Sequence, residues 1–149
     1  MSNNILLLLL ALVAGAMMPT QAATNNKMSL VTDSPILAAF LSFAVGTVAL
    51  FVCVVASGTP STSFAAIKEA PPIAWIGGLL GAFFVTSAVI LVPRIGVAMT
   101  FSAMIAGQML LTLIIDHFGL LGVETRPVSW TRIGGIILIT GGVILIRRF

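Results

Sequence analysis

The sequence predicts an all-α integral membrane protein with five transmembrane helices. Only 7% of its 149 residues are charged and 59% are hydrophobic, and the mean hydropathy is +1.20. The few charges divide the chain into long uncharged stretches. A hydrocarbon core about 30 Å thick takes roughly 20 helical residues to cross. Because the stretches have about that length and show no period-two alternation, helices are favoured over barrel strands.

We place the five helices within one transmembrane domain, residues 1–149, at approximately 5–25, 34–56, 73–92, 96–118 and 129–146. The longest connection, Ser57–Pro72, is rich in Gly, Pro, Ser and Thr and is predicted to be a loop. The connection at Pro93 and Arg94 is so short that the third and fourth helices are expected to be antiparallel neighbours.

The first helix has an alternative interpretation as a cleaved leader. Residues 20–23 (Thr-Gln-Ala-Ala) loosely resemble a signal-peptidase site. However, no Lys or Arg precedes the apolar run, and the run is long for a leader. We therefore expect a retained helix.

Composition argues against several functional classes. Cys53 is the only cysteine, and the single histidine, His117, has only Asp116 near it as an acid. No nucleophile–base pair and no glycine-rich phosphate loop can be assembled. The seven basic residues stand at helix ends, which is typical of membrane anchoring rather than of nucleic-acid binding. We expect no enzyme activity, no metal, no cofactor and no nucleic-acid partner, and a multi-pass location in the inner (plasma) membrane.

The basic residues leave the orientation open. With five spans, the N-terminal side holds Lys68, Arg126 and Arg132, and the other side holds Lys27, Arg94, Arg147 and Arg148. Three basic residues against four is too small an imbalance for the positive-inside rule to determine the orientation. The chain has either a weak bias towards a cytoplasmic C-terminus or a dual topology with antiparallel pairing. Because five helices hardly enclose a substrate path, we expect a partner chain in both cases, and an inverted pair has the symmetry used for alternating access.

Small residues recur at four-residue spacing along the predicted helices. In lipid, such residues let helix backbones approach closely, so they mark helix–helix contacts. The predicted packing glycines are Gly46, Gly77, Gly81, Gly134 and Gly142. The fifth helix is the preferred dimer seam, because Gly134-Gly135 and Gly141-Gly142 bracket one face; packing within one subunit is the alternative.

Four residues are candidates for substrate binding. Gln21 and Asn25 lie one turn apart beyond Pro19, either lining a cavity or belonging to a kinked helix end. Gln108 stands near mid-membrane in the fourth helix, as an interhelical clamp or a cavity residue. Trp75 lies at a span end, as an interfacial anchor or a substrate-facing ring.

Asp116 and His117 lie near the end of the fourth helix. They are candidates for a gate or for ion coupling, and snorkelling to the interface is the structural alternative. Arg132, about one turn inside the fifth span, is expected to snorkel or to pair with Asp116 or Glu124.

A longer motif surrounds these residues. Gly107-Gln108, then Ile115-Asp116-His117-Phe118-Gly119, followed by Pro127 and Arg132, resemble the YdcZ-type branch of the drug/metabolite transporter superfamily. The resemblance covers essentially the whole chain. It implies a half-size transporter of about five spans that dimerises or pairs with a sister chain. The related small multidrug resistance proteins use a glutamate in their first helix for proton coupling. This chain has no acid in its first three spans, which leaves Asp116 as the acidic candidate.

We therefore predict a secondary transporter for a small solute. Neutral hydrogen-bonding groups without a buried charge favour a neutral or zwitterionic metabolite. The alternative function is a non-transporting accessory or assembly subunit, in which the polar residues are interhelical clamps.

Overall fold

The computed structural model describes residues 2–148, apart from the side chains at 2–4, 61, 147 and 148. The orientation argument above uses Arg147 and Arg148, whose side chains lie outside that set. The described residues form α-helices, short 3-10 turns and irregular connections. The helices are α1 Ser2–Thr32, α2 Pro35–Ala56, α3 Ser61–Ala65, α4 Ile76–Ile95, α5 Val97–Phe118 and α6 Trp130–Arg148.

The prediction of an all-α membrane protein is confirmed. Four segments of the described chain are long and apolar enough to cross a membrane: Ile5–Thr32, Pro35–Ala56, Pro72–Ile95 and Val97–Phe118. The predicted fifth span corresponds to a shorter apolar helix, Trp130–Ile146. The first helix is longer than predicted, because it continues through Pro19 and ends at Thr32.

The connection after α2 is not the irregular loop that its composition suggested. Pro60, with extended backbone angles, precedes α3, and 3-10 turns follow at Ala66–Glu69 and Pro72–Trp75. Prolines stand at the starts of α3 and of the turn Pro72–Trp75, where a fixed φ suits the beginning of a helical turn. Short helical turns can therefore form between the prolines of this connection, although those prolines would interrupt a longer helix.

The chain divides into two compact units, Met1–Pro93 and Arg94–Phe149. In the first unit, α1 packs beside α2, and their turn is only two residues long. Asp33 has a positive φ of 52°. Ser34 then caps α2, because its Oγ accepts a hydrogen bond from the Leu37 N–H at 3.2 Å.

The buried core of the first unit lies between α2 and α4. Ala38 and Ala39 form one cluster with Val85 and Val89, and Phe84 packs against it. Two adjacent alanines on α2 leave room for the β-branched side chains of α4.

In the second unit, α5 and α6 pack together and are joined by residues 119–129. Gly119 ends α5 in the left-handed conformation, with φ 61° and ψ 34°, and its N–H donates to the Ile115 carbonyl. The connection then folds back: the Arg126 N–H donates to the Asp116 carbonyl at 2.7 Å.

Replacing Gly119 with alanine is expected to lower the free energy of unfolding by about 1–2 kcal/mol, because a left-handed backbone strains any residue with a Cβ. A Cβ there would also lie 2.5 Å from Thr125 Oγ1. Unfolding in mixed SDS micelles measures the change. Gly58→Ala is the matched control for strain alone, since Gly58 also has a positive φ (64°) but no atom within 4 Å of the new Cβ. Equal effects at the two positions would contradict the crowding at Gly119.

Candidate functional site

A cavity of about 260 Å³ lies between α1 and α2. Its lining combines polar and apolar side chains and contains no charged residue: Thr24, Asn25, Met28, Ala38, Leu41, Ser42 and Val45. The cavity therefore lies in the first unit, and Ala38 belongs both to its lining and to the buried core.

Asn25 is the most unusual residue of this cavity. It is only 7% exposed, and its Nδ2 is buried with no hydrogen-bond partner among the described residues. Leaving a buried donor unpaired costs about 1–3 kcal/mol. Buried polar groups in folded proteins are nearly always paired, so this unpaired amide, in a residue of the cavity lining, is a candidate for binding a water or ligand atom.

The neighbouring polar groups of α1 do have partners. Gln21, one turn before Asn25, donates from Nε2 to Ser42 Oγ at 3.5 Å, at the long end of the hydrogen-bond range. Thr24 donates back into its own helix, to the carbonyl oxygen of Gln21 at 2.8 Å. Of these three residues, Asn25 is thus the one with an unpaired side-chain donor among the described residues.

A second, more open recess of about 430 Å³ runs along α1. It is lined by Met17, Met18, Thr20, Gln21 and Thr24. Thr24 borders both recesses, so the polar strip of α1 continues from one recess to the other.

The structure brings together two of the four predicted substrate-binding residues, Gln21 and Asn25. Sequence reasoning missed Ser42 as the partner of Gln21, because Ala38, Ser42 and Gly46 recur at four-residue spacing and a serine in such a stripe also fits simple helix packing. Trp75 is 62% exposed in a 3-10 turn and is not part of the cavity lining. Gln108 belongs to the other unit, where it is exposed on α5.

Asp116 and His117 hold the turn between α5 and α6. The Asp116 carboxylate accepts a hydrogen bond from Arg132 Nη2 in a half-buried ion pair. His117 Nδ1 accepts from the Val128 N–H at 3.3 Å. Of the alternatives left open for Arg132, the structure selects pairing with Asp116, whereas Glu124 pairs with Arg126.

The predicted packing glycines differ in their surroundings. A Cβ on Gly81 would touch the ring of Phe43 at 3.6 Å, so this glycine lies at a contact between α4 and α2. At the others, a Cβ would meet no atom of the described residues within 4 Å: Gly46, Gly77, Gly134 and Gly142. The small size of these four residues is therefore not used within their own unit.

These features define the class: an all-helical, multi-pass membrane protein with a polar recess between two apolar helices. The family model described as "Putative inner membrane exporter, YdcZ" matches residues 6–145. The chain belongs to this family of membrane transporters, as its motif predicted. It is similar to the inner membrane protein YdcZ of Escherichia coli (strain K12), with 28% identity over 149 residues, 98% of each chain. No solved structure matches it. The predicted location as a multi-pass inner membrane protein is confirmed.

Proposed function

We propose that the chain is one half of a secondary transporter whose α1–α2 cavity binds a small neutral or zwitterionic solute. The observation that carries this proposal is the buried, unpaired Nδ2 of Asn25 at the cavity wall. A transporter needs a group that a bound solute satisfies, and a merely structural amide would have found a partner in its own fold.

The lining of the cavity indicates the chemistry of the solute. Asn25 requires a hydrogen-bond acceptor, such as a carbonyl, hydroxyl or carboxylate oxygen. Met28, Leu41 and Val45 favour an apolar part beside it. A volume of about 260 Å³ equals that of about nine liquid water molecules. A small metabolite fits this space, and no chemical step on the solute is required.

We propose that two chains form the transport unit, with five spans each and α6 as the fifth. The partner is a second copy or a sister chain, and the antiparallel arrangement provides alternating access. The open faces at Gly134 and Gly142 support a contact with another helix, because small residues in lipid serve close backbone approach. The turn fastened by Asp116 and His117 is proposed as the gate end of α5.

Antiparallel pairing of identical chains predicts dual topology. A C-terminal reporter pair that signals separately from cytoplasm and periplasm should give comparable signals from both compartments. Because the basic residues are nearly balanced, one added Lys on either side should shift the ratio strongly. Signal from one compartment alone, unmoved by either added Lys, would contradict the inverted homodimer.

Gln108→Leu distinguishes the transporter from an accessory subunit. We propose that Gln108 lines the solute path of the paired unit. It is exposed on α5 in a single protomer, so we expect the variant to fold and to assemble but to lose most of its solute flux. The assay measures release of a uniformly ¹³C-labelled metabolite extract from proteoliposomes by mass spectrometry, with assembly measured by cross-linking. Thr112→Val, on the same face one turn away, is the control for altered polarity. Lost assembly in Gln108→Leu would instead favour the clamp role and the accessory subunit.

A further inference from the structure

A second cavity, of about 200 Å³, lies between α5 and α6 in the second unit. One residue of its wall, Arg132, is cationic, and one, Thr112, carries a hydroxyl. The rest of the lining is apolar or small: Met109, Leu113, Gly135, Ile136 and Ile139. The cavity therefore combines one arginine, which is paired with Asp116, with a mostly apolar lining.

The Arg132 guanidinium has more hydrogen-bond donors than its two bonds within the described chain use. Its guanidinium carries five N–H groups in a planar fork. Within the described part of the chain, Nη2 donates to Asp116 and Nη1 donates to the Arg126 carbonyl oxygen at 3.0 Å. These two bonds use two of the five donors, and the side chain is 35% exposed. The remaining donors are available to a second acceptor.

We propose that this cavity binds a small amphipathic anion, a monocarboxylate with a short apolar tail, through the unused donors of Arg132. Guanidinium and carboxylate groups match in planar, two-bond geometry, which makes this pairing strong and selective over an uncharged analogue. The tail lies against Ile136, Ile139 and Met109. This site is distinct from the solute cavity between α1 and α2 and takes a different class of ligand.

Asp116 acts as the internal counter-ion of this site. Its carboxylate keeps Arg132 paired when the cavity is empty, so the bare charge does not face the membrane. It also repels an incoming anion and holds one edge of the guanidinium. Removing the Asp116 charge should therefore tighten anion binding, an effect opposite to that of removing Arg132.

The size of the cavity favours a free acid over a membrane lipid. A volume of about 200 Å³ corresponds to about seven liquid water molecules. That space holds a chain of a few carbons, whereas most of the two acyl chains of a phospholipid would lie outside it. Both ligands share an anionic head and an apolar tail, so the experiment has to separate them.

The test uses the full chain in an uncharged maltoside detergent, with hexanoate as the probe and hexanamide as its uncharged analogue. The shift in unfolding temperature is titrated against probe concentration, since a ligand that binds the folded state stabilises it. We expect hexanoate to stabilise the wild type and hexanamide not to. Asp116→Asn should bind hexanoate about threefold to tenfold more tightly, and Arg132→Gln at least about tenfold more weakly.

Two further variants keep the test decisive. The double variant Asp116→Asn/Arg132→Gln replaces the ion pair by a neutral pair, so it should fold and should not bind hexanoate. It serves as the test of binding if Arg132→Gln alone is unstable. Arg126→Gln, whose exposed side chain pairs with Glu124, should bind like the wild type. Equal stabilisation by hexanamide, or unchanged binding in the folded double variant, would overturn the proposal. The proposal would also be overturned if phosphatidylglycerol nanodiscs stabilised the protein in an Arg132-dependent way and hexanoate did not. That result would assign the site to a lipid.

Discussion

Replacing Asn25 with leucine is expected to reduce solute flux at least tenfold without destabilising the protein. The substitution keeps the number and branching of the side-chain heavy atoms and removes the buried, unpaired Nδ2, so the penalty for that group, about 1–3 kcal/mol, disappears from the empty protein. The solute loses its hydrogen bond in the same cavity, and a factor of ten corresponds to 1.4 kcal/mol. Flux from proteoliposomes and unfolding in mixed micelles measure the two effects.

Lost flux together with unchanged stability distinguishes a substrate-binding amide from a structural one. A structural amide stabilises the fold, so its loss would lower flux and stability together. Asn26→Leu is the matched control, because Asn26 points about 100° away on the same helix and is not part of the cavity lining. It should retain wild-type flux. Normal flux in Asn25→Leu, or an equal loss in Asn26→Leu, would remove the α1–α2 cavity from the transport path.

Asp116→Ala is expected to lower the free energy of unfolding by about 2–3 kcal/mol, because it leaves Arg132 without its anion. The pair is half-buried, with 22% of the Asp116 side chain exposed, so the effect lies between those of surface and fully buried pairs. Arg132→Ala should have a similar effect, and the double alanine variant should lose much less than the sum. A double-mutant cycle in mixed micelles measures the coupling, expected to be at least about 1 kcal/mol.

The exposed pair of Glu124 and Arg126 is the control for this cycle. Its side chains are 81% and 68% exposed, and such surface pairs contribute about 0–1 kcal/mol. Its coupling energy should fall below that of Asp116 and Arg132. Equal coupling in the two cycles would show that the Asp116 pair does not fasten α5 to α6.

Charge spacing was sufficient to predict the four long apolar helices, although not the end of the first, since bilayer thickness sets the length of an uncharged run. The spacing of Gln21 and Asn25 was also informative, because residues four apart share a helix face. Ser42 could not be assigned in the same way, because its role depends on the register of α2 against α1, which is a property of the folded unit and not of the local sequence. A small polar residue in a stripe of small residues carries no signal that separates packing from hydrogen bonding.

The Asp-His-Phe-Gly motif shows a second limit of prediction from the sequence. The family resemblance identified these residues without giving a mechanism, and their position at a span end left both a gate and an interfacial role open. In the structure, Asp116 binds Arg132, His117 accepts from Val128, and Gly119 supplies a left-handed turn. Which partner Arg132 takes depends on how residues 119–129 fold back, and local sequence patterns do not determine that.

The most direct test of this account is the release of a uniformly ¹³C-labelled metabolite extract from liposomes that contain the wild-type chain. The account predicts that a few small neutral or zwitterionic solutes leave faster than from protein-free liposomes, and that Asn25→Leu abolishes the difference. Release identical to that from protein-free liposomes for every detected solute, from protein shown to be folded and paired, would contradict a transport function for the α1–α2 cavity.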